Sequence, residues 1–153
     1  MKTLLVEDNI TFGEELTEKL KQRRSFSNLE WCLTESDFVD KFDKIKIDPP
    51  SVFVIDVMLQ WDVPRREGIR PRPPEARNMY KAGIRCAQRL LDEPKTSGLP
   101  IILYTLVDQP DLQSDIERLP PNVRYLQKGS DLEPLMDLMR KVTASAPSDQ
   151  LHG

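Results

Sequence analysis

Ser51-Val52-Phe53-Val54-Ile55-Asp56 is the most informative run in the chain. Its apolar residues run without polar alternation, the pattern of a strand covered on both faces. It then stops on a carboxylate. Three other runs stop in a similar way. Thr3-Leu4-Leu5-Val6 delivers Glu7-Asp8, Ile101-Ile102-Leu103-Tyr104 delivers Thr105, and Val123-Arg124-Tyr125-Leu126-Gln127 delivers Lys128. Leu29 to Thr34 is a weaker strand candidate. Between the strands the apolar spacing turns helical. Residues 10–23 carry Phe12, Leu16 and Leu20, with Asn9 or Thr11 as cap; Ser36 to Phe42 opens a second helix. A third resumes near Glu75 or Met79, with Tyr80, Ile84, Ala87 and Leu91 on one face. Asp111 to Leu119 is a short fourth helix, and Leu132, Leu135, Met136, Met139 and Val142 mark a fifth from Asp131. Strands alternating with helices predict an α/β fold, a doubly wound parallel sheet. Five strands suit the flavodoxin-like order 2-1-3-4-5, with five helices.

Residues 60–78 interrupt this rhythm. Pro64, Pro71, Pro73 and Pro74 stand among Arg65, Arg66, Arg70, Arg72 and Arg77, and proline at that density prevents a regular helix or an internal strand. Asp62, Glu67 and Glu75 reduce the charge of the segment to +2, so a solvated loop is the simpler expectation over a site for an acidic partner or nucleic acid. The chain reads as one domain, residues 1–142, carrying this Pro/Arg-rich loop, with 143–153 as a flexible tail. Bulk composition narrows the function. With 22 basic and 25 acidic residues the net charge is −3, which gives no general attraction for nucleic acid. No apolar run reaches the roughly 20 residues of a membrane span, and the N-terminus turns acidic too early for a signal peptide. A cytoplasmic location is expected. Cys32 and Cys86 lack metal-ligand spacing and read as buried free thiols rather than a disulfide. The one histidine, His152, is next to last, which argues against histidine-based catalysis.

In an open parallel sheet, ligands bind outside the carboxyl ends of the strands. Glu7, Asp8, Asp56, Thr105 and Lys128 are therefore expected to converge. Magnesium takes hard oxygen ligands, often carboxylates plus waters and phosphate oxygens. A metal would relieve the repulsion among three clustered acids. An ammonium and a hydroxyl would serve the remaining oxygens of a phosphoryl group on Asp56, since phosphoryl transfer rests on positioning and charge neutralisation. Each residue also has an ordinary use: an acidic pair favours a helix N-terminus, a threonine suits a strand, and a lysine caps one.

Taken in order, Leu4-Leu5-Val6-Glu7-Asp8-Asn9, Val54-Ile55-Asp56-Val57-Met58-Leu59, Tyr104-Thr105 and Tyr125-Leu126-Gln127-Lys128-Gly129 resemble the receiver domain of two-component response regulators, over roughly residues 2–142. The resemblance implies that Asp56 accepts phosphate from a histidine kinase or phosphotransfer protein. It implies Mg2+ held by Glu7, Asp8, Asp56 and the backbone carbonyl of Met58. Thr105 and Lys128 would contact the phosphoryl group, and Thr105 with Tyr125 would form the switch read by a downstream protein partner. Three positions depart from the pattern. The glycine matching the start of the third helix is Gly83, so 60–78 looks like an insertion beside the site. Leu106 stands where a small residue is usual, and could overhang the acceptor. Gly129 replaces the proline that usually follows the lysine in a cis peptide. Trp61 either shields the site or packs within its loop.

The expected function is a stand-alone receiver, a switch rather than an enzyme. One alternative is a pseudo-receiver interaction module, little phosphorylated because Leu106 and the 60–78 segment cover Asp56. A magnesium-dependent hydrolase is the weakest reading, because it would want a second acid two residues after its nucleophile, where Met58 stands.

Overall fold

The computed structural model describes residues 1–26 and 28–145. Five parallel strands, β1 (Lys2–Val6), β2 (Asn28–Cys32), β3 (Val52–Ile55), β4 (Ile101–Thr105) and β5 (Val123–Gln127), form one sheet in the order β2-β1-β3-β4-β5. Five helices join them: α1 (Ile10–Lys21), α2 (Glu35–Ile47), α3 (Ala82–Asp92), α4 (Gln109–Ile116) and α5 (Glu133–Ala144). The order and the parallel pairing match the fold expected from the apolar runs.

The pleat sorts the central strands between two cores. Phe53, Ile55, Val6 and Leu103 face Phe38 and Ile45 of α2, Cys86 and Leu90 of α3, and Leu112 of α4. Val52, Val54, Leu5 and Ile102 face Leu16 and Leu20 of α1 and Leu135, Met136 and Met139 of α5. Burial of each large apolar side chain contributes about 1.5–3 kcal/mol. This two-sided cover is why the decisive run lacks polar alternation. Cys32 and Cys86 are free and buried, as expected; burial pushes the Cys32 thiol up to about 12.

Several boundaries differ from the sequence reading. β2 stops at Cys32 because Thr34 leaves the strand and caps α2, its hydroxyl accepting from Asp37 N–H. Asn9, not Thr11, caps α1 through Phe12 N–H at 2.9 Å, and that helix ends at Lys21. α4 starts at Gln109 and ends at Ile116, earlier than expected. α3 starts only at Ala82, after 3-10 turns at Pro74–Ala76 and Met79–Lys81. Tyr80 consequently lies outside the helix and is exposed, while Gly83, Cys86, Ala87 and Leu90 form the buried face. α5 runs to Ala144, two residues into the segment read as a tail; residues 146–153, with His152, lie outside the described residues.

Residues 60–78 are irregular apart from the Pro74–Ala76 turn, but they are not merely solvated. Arg65 Nη2 pairs with Asp37 of α2 at 2.7 Å, and Arg70 pairs with Asp37 and Asp40. The segment is strapped along α2, with a reversal at Gly68, whose φ of +101° is open to glycine at little cost.

Candidate functional site

The sheet ladder continues one step past three strands, to Glu7, Asp56 and Lys128, while Thr105 closes β4 itself. Glu7 N–H donates to Cys32 C=O, Asp56 N–H to Val6 C=O and Lys128 N–H to Thr105 C=O, at 2.8–3.0 Å. The carboxyl ends of β1, β3, β4 and β5 therefore present Glu7, Asp8, Asp56, Thr105 and Lys128 along one edge of the sheet. Backbone packing fixes the turn after β3. Gly83 N–H donates to Val57 C=O at 2.8 Å, and a β-carbon on Gly83 would stand 2.1 Å from the Asp56 carbonyl oxygen. Only glycine lets α3 approach that closely.

Lys128 bridges the acids. Its Nζ donates to Glu7 Oε2 at 2.6 Å and Asp56 Oδ2 at 2.8 Å, and lies 4.4 Å from the centre of the Phe12 ring. The three side chains are nearly enclosed, with 7% of Lys128, 2% of Glu7 and 10% of Asp56 exposed. Asp56 Oδ1 accepts from Met58 N–H at 3.3 Å, so both of its carboxylate oxygens are held. Glu7 Oε1 accepts from Asn9 N–H at 3.0 Å, and the Glu7 backbone carbonyl accepts from the Trp31 indole at 2.9 Å. Asp8, half-buried, accepts at Oδ2 from Gln60 N–H at 3.0 Å.

Three carboxylates share one ammonium, and the imbalance appears in the proton affinities of Glu7 and Asp8. Burial, then the Asp56 charge, push Glu7 up to about 7 against the pull of Lys128. Burial likewise raises Asp8, opposed by the Gln60 N–H. Burial disfavours the charged form of Lys128, but Asp56 and Glu7 outweigh it and raise its pKa. Oxygens of Glu7, Asp8 and Asp56 lie within 4.8 Å of one another, close to the span of an octahedral magnesium shell, whose opposite ligands stand roughly 4 Å apart. Hard donors, excess negative charge and this spacing fit a magnesium ion.

Thr105 and Tyr125, the expected switch pair, meet through a residue that the sequence reading did not single out. Val107 N–H donates to Thr105 Oγ1 at 3.2 Å, and Tyr125 Oη donates to Val107 C=O at 2.7 Å. Tyr125 is thus already half-buried and tethered to the loop after β4. Phe12, Trp31, Gln60 and Val107 were all missed as site residues: Gln60 and Val107 act through backbone atoms, and the Phe12 ring and Trp31 indole were read only as parts of a helix and a strand.

The proposed shield is not formed as expected. Leu106 is 69% exposed and is not packed over Asp56. The Trp61 indole donates to Arg70 C=O, and its side chain lines a cavity between α2 and α3 with Val39, Pro73 and Cys86. That is the loop-packing alternative. Gly129 is exposed, and no cis peptide occurs among the described residues.

The sheet order and the acidic edge define the class: a five-stranded receiver-domain fold. Solved receiver domains share it. The chain is similar to the signal receiver domain of a signal transduction histidine kinase from Syntrophus aciditrophicus, at 16% identity and TM-score 0.70, covering 96% of this chain and 92% of that one. It is similar to the receiver domain of a DNA-binding response regulator from Colwellia psychrerythraea 34H, at 18% and 0.68, covering 95% and 99%. It also matches the phosphorylated cyanobacterial phytochrome response regulator RcpA, at 16% and 0.65, covering 97% and 94%. No protein-family model and no curated protein sequence matches the chain. Among the described residues no helix is long and apolar enough to cross a membrane.

Proposed function

We propose that the protein is a response-regulator receiver in a cytoplasmic two-component system, phosphorylated on Asp56 and read by a downstream protein. The observation that carries this is the Lys128 ammonium held between Glu7 and Asp56, beside Asp8, at the carboxyl edge of the sheet. An oxygen of Asp56 attacks the phosphorus of a phosphohistidine on a histidine kinase or phosphotransfer protein. The new O–P bond forms as the N–P bond breaks, and the imidazole leaves with the donor. Lys128 neutralises charge on the transferred oxygens, and Met58 N–H orients the acceptor. Glu7, Asp8, Asp56 and the Met58 carbonyl would hold magnesium, which would supply further charge neutralisation when bound. No second carboxylate stands at position 58 to activate water, so the reading favours a switch over a hydrolase.

Thr105 is the residue placed to follow the phosphoryl group. Its hydroxyl currently accepts from Val107 N–H, and turning it toward Asp56 frees that amide while Tyr125 still holds the Val107 carbonyl. Tyr125 then needs no long inward travel; the β4–α4 loop itself reshapes. A partner reading α4, β5 and α5 would sense that change as a population shift.

The experiment is intact-mass measurement after acetyl phosphate and Mg2+. One phosphoryl group is expected on the wild type and none on Asp56→Asn or without Mg2+. A modification that persists in Asp56→Asn would refute the assignment. Leu106 is exposed and Trp61 packs between α2 and α3, which counts against the pseudo-receiver alternative, in which these residues cover Asp56.

A further inference from the structure

We infer that Asp62 is a positioning residue for Asp8, acting through the backbone at residues 60–61 to fix the geometry of the metal-binding carboxylate. The inference rests on the proposed magnesium site. Asp8 has one outer partner from residues 60–78, the Gln60 N–H at 3.0 Å from Oδ2. That bond holds one oxygen and sets which way the carboxylate faces. Its precision depends on how firmly Gln60 is held.

Gln60 is pinned by the start of α2. The first-turn amides of a helix have no partner within the helix. Here Glu35 N–H donates to Gln60 C=O at 3.0 Å and Ser36 N–H donates to Trp61 C=O at 2.8 Å. The next residue locks the arrangement. The Asp62 side chain is 0% exposed. Its Oδ1 accepts from Ser36 Oγ at 3.0 Å, and its Oδ2 from Arg70 N–H at 2.8 Å. Arg65 and Arg70 place guanidinium nitrogens 3.5 and 3.9 Å away. A buried carboxylate is tolerated only when it is paired and hydrogen-bonded in this way. Asp62 therefore ties residues 60–62 to Ser36 on one side and to the returning strap at Arg70 on the other. The consequence for the site is one fixed peptide group aimed at Asp8.

The bonds that orient a metal ligand matter nearly as much as the ligand, and losing one typically costs 10–100-fold in affinity. Asp62→Ala loosens Gln60 rather than deleting its N–H, so the expected loss is about tenfold, the low end of that range. Mg2+ titration of the full chain by calorimetry tests this, beside metal-free urea unfolding. Asp62→Ala should bind Mg2+ about tenfold more weakly while still unfolding cooperatively. Asp62→Asn, which keeps one carbonyl acceptor, should recover part of the loss. In an Asp8→Ala background, Asp62→Ala should cost nothing further, as coupled residues require. Should Asp62→Ala fail to fold, Ser36→Ala removes one bond to the same carboxylate and should weaken Mg2+ binding in the same direction. Wild-type affinity in a folded Asp62→Ala, or an equal loss with and without Asp8, overturns the inference and leaves the magnesium site standing. A wild type that binds no Mg2+ overturns both.

Discussion

Glu7→Gln should make the metal-free protein more stable at alkaline pH and leave it nearly unchanged in acid. Glu7 carries a pKa raised from 4.5 to about 7, because it is buried beside Asp56. A group whose folded pKa is raised binds its proton more tightly in the folded state. Its contribution to stability is complete below the unfolded pKa and is lost as pH rises through the folded one. The window is therefore pH 4.5 to about 7. A shift of about 2.5 units at roughly 1.4 kcal/mol each amounts to about 3 kcal/mol across it. The 2.6 Å bond from Lys128 is already contained in that shift. Glutamine cannot ionise, so the variant should lack this pH term. Urea unfolding in EDTA at pH 5, 6, 7 and 8 would measure it. The difference between variant and wild type should grow by about 3 kcal/mol from pH 5 to pH 8 in favour of the variant. Asp8 titrates in the same direction but is present in both proteins. Parallel stability curves for the two proteins would refute the claim that Glu7 is ionised under strain. Saturating Mg2+ should close the gap, because the cation stabilises the ionised cluster of the wild type.

Three further outcomes follow from single contacts. Gly83→Ala places a methyl 2.1 Å from the Asp56 carbonyl oxygen, so α3 must shift; a loss of about 1–3 kcal/mol is expected by urea unfolding, and an unchanged midpoint would show that the approach is looser. Arg85→Ala leaves the nearly enclosed Glu35 carboxylate without the two guanidinium bonds at 2.7–2.8 Å, a loss of about 3 kcal/mol, whereas replacing both residues with methionine should cost much less. Tyr125→Phe deletes the 2.7 Å bond to Val107 C=O; stability should fall by about 1 kcal/mol, and amide exchange in the β4–α4 loop should quicken, with unchanged exchange counting against the tether.

The parts visible in sequence are those where a single residue type is forced. Val52 to Ile55 had to be a covered strand, because four consecutive apolar residues in a strand alternate between faces and both faces therefore need a core. Asp56, Glu7-Asp8, Thr105 and Lys128 were recognisable because each ends such a run, and parallel strands bring their carboxyl ends to one edge. Gly83 stood out only as the glycine matching the third-helix start of the resembled family; that the Asp56 carbonyl leaves no room for a β-carbon there came from the structure. Boundaries were less legible where capping competes with the strand, as at Thr34, or where 3-10 turns delay a helix, as before Ala82. The course of residues 60–78 was not legible at all. Composition gave five arginines and three acids, but not that Arg65 and Arg70 would find Asp37 and Asp40 on a helix more than twenty residues earlier. Sequence alone was therefore enough for the sheet, its two covered faces and the residues at its acidic edge, because those follow from periodicity and strand direction. Which backbone groups hold those residues, from Gln60 on Asp8 to Val107 between Thr105 and Tyr125, emerged with the folded chain. Every residue but proline carries the same N–H and every residue the same C=O, so nothing in the identity of a residue announces which partner the fold will give them.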